Sequence, residues 1–233
     1  MTLKSIRRSG HTGIVMINKQ LVASFLIPLL ASAFTDQAST KQALIMAMGA
    51  NAKQTMPYQW KQKITVVRKG NPMPPIIELL RFDATGQMQR MTISRPEEKK
   101  MGPLKARKAA GVKEDVQAVM QMAGRYANPQ TLRDAIEKGE IWEGQGYLRV
   151  QARSLFIPID EMIVVVSGSN FLPAKIDCKT QYEGSPVTIA VDYGQMPNGP
   201  SVMTRMTVQI PGEDIVVNVE SFDHVKLAAS NFQ

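Results

Sequence analysis

From Tyr147 to the C-terminus, apolar and polar side chains alternate with a period of two in six successive short segments. Because neighbouring side chains of a β-strand point to opposite faces, each segment predicts a strand with one buried face. Turn sequences rich in proline, glycine and acidic residues separate the segments, as in β-hairpins. The segments predict a large antiparallel sheet with apolar positions at Leu148, Val150, Ala152, Met162, Val164, Val166, Ile176, Cys178, Val187, Ile189, Val191, Met203–Ile210 and Ile215–Val219.

The preceding part of the chain predicts a helix followed by an antiparallel meander. Ser39–Gln42 has the spacing of a capping box, which predicts the start of a short helix that ends near Ala52. Gln59–Val67 then alternates with a period of two, Ile76–Phe82 forms a second strand, and Met88–Ile93 forms a third after a tight turn. The first half of the domain therefore adds strands to the same kind of sheet.

Two helices are predicted between these groups of strands. Arg95–Arg107 is basic and interrupted by glycine and proline, which predicts an exposed loop. Apolar residues at helical spacing then predict an amphipathic helix that ends near Tyr126. Asn128 and Pro129 predict the N-cap and first residue of a second helix, and Gly139 predicts its end. The composition contains no break that would indicate a second domain.

The N-terminal segment predicts export. Leu21–Ala33 is an uncharged, mostly apolar run that follows a lysine and closes with a small-x-small pattern, which is typical of a secretory signal peptide. The run is shorter than the roughly 20 residues that a spanning helix needs. We predict a signal peptide over residues 1–33 with cleavage after Ala33, Met16 as an alternative initiator, and a single mature domain over residues 34–233. This predicts a periplasmic or otherwise exported protein.

Charge does not favour a nucleic-acid partner. The chain has 28 basic and 20 acidic side chains, and removal of the predicted leader leaves 24 basic and 20 acidic ones. The basic residues that remain lack the interleaved aromatic side chains that stack on bases. We therefore predict no nucleic-acid partner.

Cysteine and histidine are too scarce for several kinds of site. Cys178 is the only cysteine, so no disulfide forms within the chain, and its alternation with Ile176 and Thr180 predicts a small packed side chain. Only His224 remains after the predicted cleavage, so a metal site of ordinary His/Cys composition is not expected. The sequence does not exclude a calcium site built from several carboxylates.

Catalytic motifs are also missing. The glycines of Gly144-Gln-Gly146 predict a turn, because no third glycine and no strand-to-helix context follow them. Asp160 and Glu161 are adjacent, so on a strand they would face opposite ways and could not act together on one substrate. We predict a protein that is not an enzyme and that carries no cofactor and no metal.

The order of these elements resembles a known family. One N-terminal helix, a meander, an inserted helix pair and a closing run of hairpins are similar to the periplasmic lipoprotein-carrier superfamily of LolA, LolB and the RseB N-terminal domain. The local match is Asn170-Phe-Leu-Pro-Ala-Lys-Ile-Asp177, which resembles the strand start of these proteins. The resemblance implies an α+β fold: a large curved antiparallel sheet, or open half-barrel, whose concave face is covered by the N-terminal helix and the helix pair.

The resemblance also implies a non-enzymatic binding or carrier protein for a lipid or lipoprotein acyl chain. Methionines would help an apolar cradle adapt to flexible chains. The alternative is that the same side chains form an ordinary core. The candidate cradle residues are Trp60, Ile64, Val66, Leu80, Phe82, Leu148, Val150, Val164, Ile189 and Val191 on strands, and Val116, Met120 and Ala123 on the first inserted helix.

A second hypothesis uses the same fold with a filled core. In this case the protein is an interaction or regulatory module that binds an envelope protein through an edge strand or the basic segment. An anionic membrane surface is a further partner for that segment. The candidate contacts to a partner or headgroup are Lys99, Lys100, Lys105 and Arg107.

Overall fold

The computed structural model describes the backbone of residues 20–94 and 103–228 and the side chains of residues 37–94, 114 and 116–228. The chain divides by its internal contacts into two compact units, Met1–Ser39 and Thr40–Gln233. The second unit contains the entire sheet and two of the helices. Among the described residues, no helix combines the length and the hydropathy needed to cross a membrane.

The described chain forms three α-helices, eleven strands and one short 3-10 turn. The helices are α1 (Gln20–Thr55), α2 (Pro103–Tyr126) and α3 (Pro129–Lys138), and the 3-10 turn is Pro211–Glu213. The strands are β1 (Tyr58–Arg68), β2 (Asn71–Pro72), β3 (Ile76–Phe82), β4 (Met88–Ser94), β5 (Glu140–Gly144), β6 (Tyr147–Arg153), β7 (Glu161–Ser167), β8 (Pro173–Tyr182), β9 (Ser185–Gln195), β10 (Ser201–Ile210) and β11 (Ile215–Lys226).

All the described strands belong to one open antiparallel sheet. Their order is β4-β3-β1-β11-β10-β9-β8-β7-β6-β5, with the two-residue strand β2 paired to β1 outside this path. Strand β11 pairs with β1, which joins the N-terminal meander to the C-terminal hairpins. Strands β4 and β5 lie at opposite ends and do not pair with each other, so the sheet is not closed into a barrel. The predicted α+β fold with a large open antiparallel sheet and an inserted helix pair is confirmed.

One face of the sheet, which we call the inner face, is apolar and packs against the helices. Leu44 of α1, Val119 and Ala123 of α2, and Ala135 and Ile136 of α3 belong to the same buried cluster as the inward side chains of the strands. The domain is therefore built as a sheet covered on one side by helices, as the alternation of the strands predicts.

The opposite, outer face is charged. A row of cross-strand neighbours there alternates in sign, from Lys63 through Glu220, Arg205 and Asp192 to Lys175. Opposite charges on neighbouring strands stabilise a sheet by a few tenths of a kcal/mol per pair, up to about 1 kcal/mol. This row explains why the outer face remains solvated while the inner face carries the core.

Several predicted boundaries need correction. The capping box at Ser39–Gln42 does not start a helix, and α1 ends at Thr55 rather than Ala52. No glycine or proline separates the apolar run from this segment, so the helix continues through it. Residues 103–107 are helical rather than part of a loop, because proline is compatible with the first turn of a helix. Strand β5 was not predicted.

Candidate functional site

Two unbroken apolar rows cross the inner face from strand to strand. The first row is Val66, Val217, Val208, Ile189, Cys178, Met162 and Ala152, which are successive cross-strand partners on seven strands. The second row is Ile64, Val219, Met206, Val191, Ile176, Val164, Val150 and Ile141, on eight strands. At roughly 4.8 Å between strands, the longer row extends about 34 Å.

The rows form the floor beneath the helices. Val150, Val164 and Val191 have no exposed surface, and Ile189 is 1% exposed. Cys178 is buried as expected, and burial raises the pKa of its thiol to about 12, so the side chain stays protonated and packs as an apolar group. The floor is a continuous apolar surface about twice as long as the roughly 15 Å depth of one leaflet of a bilayer.

The border of this floor is rich in flexible side chains. Met48 of α1, Met120 and Met122 of α2, and Met203 of β10 are partly buried and pack against the core cluster. Tyr193 of β9 lies opposite Met203, and burial raises the pKa of its hydroxyl to about 12. Unbranched thioether side chains fill irregular spaces and repack easily, so this border can change shape at low cost.

Helix α2 is anchored to the sheet by a buried polar network. The Tyr126 hydroxyl donates to Thr180 Oγ1 at 2.8 Å, and Thr180 Oγ1 donates to Asp160 Oδ1 at 2.7 Å. The other Asp160 oxygen accepts the backbone N–H groups of Phe156 and Ile157 at 2.9 and 3.1 Å. Burial is the main cause that raises the pKa of Tyr126, so its hydroxyl remains a donor. The network connects the C-terminal turn of α2, strand β8 and the loop before β7.

Helix α1 is anchored at two places. The Asn51 side chain donates from Nδ2 to the Ser201 carbonyl at 2.8 Å and accepts from the Ser201 N–H at 2.7 Å. This pair satisfies both backbone groups of Ser201 at the start of β10. Lys41 Nζ donates to the Glu137 carbonyl of α3 at 3.1 Å. Hydrogen bonds from Lys41 and Asn51 therefore hold α1 on either side of Leu44, which contacts the core through its apolar side chain.

A separate group of aromatic residues, which we call the aromatic corner, lies at the β1–β3 end of the sheet. Trp60 packs against Phe82 with ring centroids 5.7 Å apart and stacks on His224 at 6.3 Å. Leu80 pairs with Trp60 across the strands and is fully buried. Burial lowers the pKa of His224, and the neighbouring Asp223 carboxylate opposes this effect.

The predicted cradle residues therefore fall into two groups. Val66, Leu148, Val150, Val164, Ile189, Val191 and Ala123 lie in the main core, and Ile64, Val116 and Met120 are half-buried beside it. Trp60, Leu80 and Phe82 instead lie in the aromatic corner and do not belong to the main core cluster. The sequence pattern located the inward face of each strand but did not separate these groups.

The basic candidates are only partly covered by the structure. Lys99 and Lys100 lie outside the described residues. Lys105 and Arg107 fall in α2, where only the backbone is described. Over the part of the chain that is described, no three His, Cys, Asp or Glu side chains converge as metal ligands would.

Sequence reasoning missed both helix anchors. Asp160 was considered only as a partner of Glu161, whereas it is 2% exposed and organises the loop before β7. An aspartate directly after the apolar segment Leu155–Ile159 was the available signal for an acceptor of local backbone N–H groups. Asn51 and Tyr126 carried no signal, because their partners are distant in sequence.

Two of the best-formed surface depressions lie on the outer face rather than over the inner rows. The larger one, about 630 Å³, is lined by Lys63, Asp192, Thr204, Arg205, Glu220, Ser221 and Phe222. The smaller one, about 250 Å³, is lined by Trp142, Glu143, Tyr147, Arg149 and Gln151. Both are open to solvent and are lined partly by charged side chains, so neither resembles an enclosed apolar cavity.

Comparison with known proteins finds distant similarity in structure alone. No family model matches the chain, and no curated protein matches its sequence. Its structure is similar to a DUF1329 family protein from Desulfovibrio piger, with 10% identity, coverage of 84% of this chain and 96% of that one, and a TM-score of 0.42. It is similar to a LolA superfamily protein from Nitrosomonas europaea, with 12% identity, coverage of 77% and 93%, and a TM-score of 0.36.

A third similar structure is a domain from Vibrio parahaemolyticus whose name refers to outer membrane lipoprotein sorting. It has 8% identity, coverage of 81% of this chain and 95% of that one, and a TM-score of 0.39. The strand order itself establishes the class of the chain as an α+β protein with an open antiparallel sheet.

Proposed function

We propose that the chain is a non-enzymatic binding or carrier protein that takes up a lipid or lipoprotein acyl chain between the inner face and the helices. The observation that carries this proposal is the pair of apolar rows, which cross seven and eight strands without a polar side chain. A surface of this length suits a long, thin apolar ligand. Each buried CH₂ group contributes about 0.8 kcal/mol.

Uptake requires the helices to move, because the floor is covered when no ligand is bound. An acyl chain that enters beneath α2 replaces contacts made by Val116 and Met120 with contacts of the same apolar kind. The Tyr126 hydrogen bond holds one end of α2 during this exchange, so the helix can pivot without leaving the sheet. The methionines at the border then repack around the ligand.

The proposal includes export and a partner surface. Cleavage after Ala33 would release a mature domain over residues 34–233 into the periplasm or an equivalent compartment. Lys99, Lys100, Lys105 and Arg107 would contact anionic headgroups or an envelope protein during transfer. The proposal involves no catalysis, since an intact acylated ligand is bound by apolar burial and then released without any covalent bond being formed or broken.

A second candidate function is supported by the burial of the floor. Val150, Val164 and Val191 have no exposed surface, and this is what a permanently filled core would also give. In that case the protein would be an interaction or regulatory module of the cell envelope. The two functions differ in one measurable property, which is the binding of an acyl chain.

Replacement of Met120 with glutamate tests uptake. Titration of a fluorescently labelled 16-carbon fatty acid is expected to show saturable binding to the unmodified chain. We expect the Met120→Glu variant to bind at least tenfold more weakly, because an acyl chain would have to pack against a carboxylate that loses its water. The Met120→Gln variant removes the charge and should show a smaller loss.

The matched control is Met46→Glu on α1, where the methionine is 65% exposed. This variant should bind like the unmodified chain. Circular dichroism and urea unfolding establish that each variant is folded before the titration. Absence of binding by the unmodified chain, or equal binding by the Met120→Glu variant, would contradict uptake beneath α2 and favour the filled-core module.

A further inference from the structure

The outer face carries an exposed apolar strip at the β4 end of the sheet. Leu79 of β3 and Met91 of β4 are cross-strand partners on the side opposite the buried Leu80. Met91 is 60% exposed, and Ile93, which lies at an irregularity in the pairing of β4 with β3, is 49% exposed. Ile77 and Leu79 are half-buried, and Ile77 extends the strip along β3. Contiguous exposed apolar side chains on a soluble domain indicate an interaction surface.

Cations surround this strip. Arg81 follows Leu79 on the same side of β3, and Lys61 and Lys63 are the cross-strand partners of Leu79 and Ile77 on β1. We call the seven residues Ile77, Leu79, Arg81, Met91, Ile93, Lys61 and Lys63 the outer patch.

The outer patch has a positive balance. No acidic residue occupies an outward position of β3 or β4. Lys61 pairs with Asp223 at 3.0 Å, whereas Lys63 and Arg81 have no ion pair among the described residues. The nearest acid on β11, Glu220, lies 3.8 Å from Arg205 and belongs to the charge row. Lys63 faces Glu220 across the strands and Lys61 pairs with Asp223, so with Arg81 the patch combines apolar side chains with an excess of one positive charge.

We propose that the outer patch docks the protein on an anionic phospholipid surface, with Met91 and Ile93 entering the headgroup boundary and Lys63 and Arg81 contacting lipid phosphates. Shallow insertion of apolar side chains together with attraction of cations is how peripheral proteins bind anionic bilayers. This docking does not depend on whether the inner face takes up an acyl chain, because the two surfaces lie on opposite sides of the sheet.

Two other occupants fit the patch less well. A second copy of the chain meeting it through the same surface would bring Lys63 and Arg81 against their counterparts, and like charges oppose such a contact. An acidic peptide would need a groove that is lined by positive charges without acidic side chains among them. The large depression beside the patch instead carries both signs, with Asp192 and Glu220 next to Arg205.

Cosedimentation with vesicles tests the proposal. The probes are phosphatidylglycerol–phosphatidylethanolamine vesicles and neutral phosphatidylcholine vesicles. Every variant must have the same N-terminus, verified by intact mass, since the apolar run Leu21–Ala33 in an unprocessed chain would itself bind lipid. We expect the unmodified chain to bind the anionic vesicles at least tenfold more tightly than the neutral ones, and to lose most of this preference in 0.5 M salt.

Two double variants separate the contribution of the apolar side chains to vesicle binding from that of the cations. Met91→Glu with Ile93→Glu should reduce the partition coefficient on anionic vesicles by at least tenfold. Lys63→Glu with Arg81→Glu should do the same, since each cation near an anionic surface is worth about fivefold. The matched controls are Ile159→Glu, at a position that is 57% exposed outside the patch, and Arg125→Glu on α2, and both should bind like the unmodified chain.

Three outcomes would overturn the proposal. They are equal binding to neutral and anionic vesicles, unchanged binding by both patch variants, and an equal loss in the Ile159→Glu control. Sedimentation velocity adds a fourth: if Met91→Glu with Ile93→Glu converts a dimer to a monomer without changing vesicle binding, the patch is an interface between two copies.

Discussion

Replacement of Asp160 with alanine is expected to lower the free energy of unfolding by about 3 kcal/mol. The Asp160 carboxylate accepts hydrogen bonds from Thr180 Oγ1 and from the backbone N–H groups of Phe156 and Ile157, and it is 2% exposed. Loss of the acceptor leaves the buried Thr180 hydroxyl and two partly buried N–H groups without this partner, and each such loss costs about 1–3 kcal/mol without being additive. Urea unfolding followed by circular dichroism measures the change.

The control for Asp160 is another aspartate with an exposed partner. Asp177 pairs with Lys175 at 2.9 Å, but both side chains are more than 40% exposed. Asp177→Ala should therefore change stability by at most about 0.5 kcal/mol. An Asp160→Ala variant as stable as Asp177→Ala would show that the buried network does not hold α2 to the sheet, and the pivot invoked for ligand uptake would lose its physical basis.

Replacement of Gly139 with alanine is expected to destabilise the domain by about 3 kcal/mol. Gly139 ends α3, and its N–H donates to the Ala135 carbonyl at 2.8 Å. A Cβ atom there would lie 2.5 Å from the Ala135 carbonyl oxygen, 2.7 Å from Val150 Cγ1 and 2.9 Å from the Gln151 carbonyl oxygen. Two of these neighbours are backbone atoms, so the helix must move away from β6, and overpacking of this kind costs about 1–3 kcal/mol.

Gly124→Ala provides the comparison for Gly139. Gly124 is an exposed helical position in α2, and a Cβ atom there would meet no other atom within 4 Å. Alanine is the better helix former by about 1 kcal/mol, so this variant should be as stable as the unmodified chain or more stable. If thermal unfolding gave the two variants the same midpoint, close packing of α3 on β6 would not explain the need for glycine at residue 139.

The strands were predictable because their signal is local. Alternation with a period of two predicted the inward residues of β1 and of β6–β9, and the residues of the two apolar rows on those strands point inward as expected. In β10 a register shift between Met203 and Arg205 changes the alternation, so the range Met203–Ile210 did not specify its inward residues. Asn128 was predictable as an N-cap because its signal is also local, and its side chain accepts the Gln130 N–H at 2.8 Å. A structural feature can be predicted from local sequence when the residues that determine it are neighbours in the chain.

Features set by distant partners were not predictable. Strand β5 has only five residues and lies at the edge of the sheet, and its alternation is too short to be distinguished from a loop. The hydrogen bonds of Tyr126 to Thr180 and of Asn51 to Ser201 join residues 54 and 150 positions apart. The position of the aromatic corner depends on the pairing of β1 with β11, which no local pattern specifies.

The cradle remains a prediction, and the structure shows where its residues lie. Six of the thirteen cradle residues lie in the two apolar rows, whereas Trp60, Leu80 and Phe82 belong to the aromatic corner instead. The apolar strip on the outer face was also not predicted from the sequence. Met91 and Ile93 lie on an edge strand whose two faces are both largely exposed, so the pattern does not show which face is buried.

Native mass spectrometry of the chain recovered from the cell envelope without detergent, followed by organic extraction, tests the central claim most directly. If the inner face takes up acyl chains, the protein should carry a lipid or an acylated peptide in a stoichiometric amount, and extraction should identify it. A chain with the mass of the polypeptide alone, which stays unliganded after incubation with phospholipid vesicles and an acylated peptide, would contradict the account.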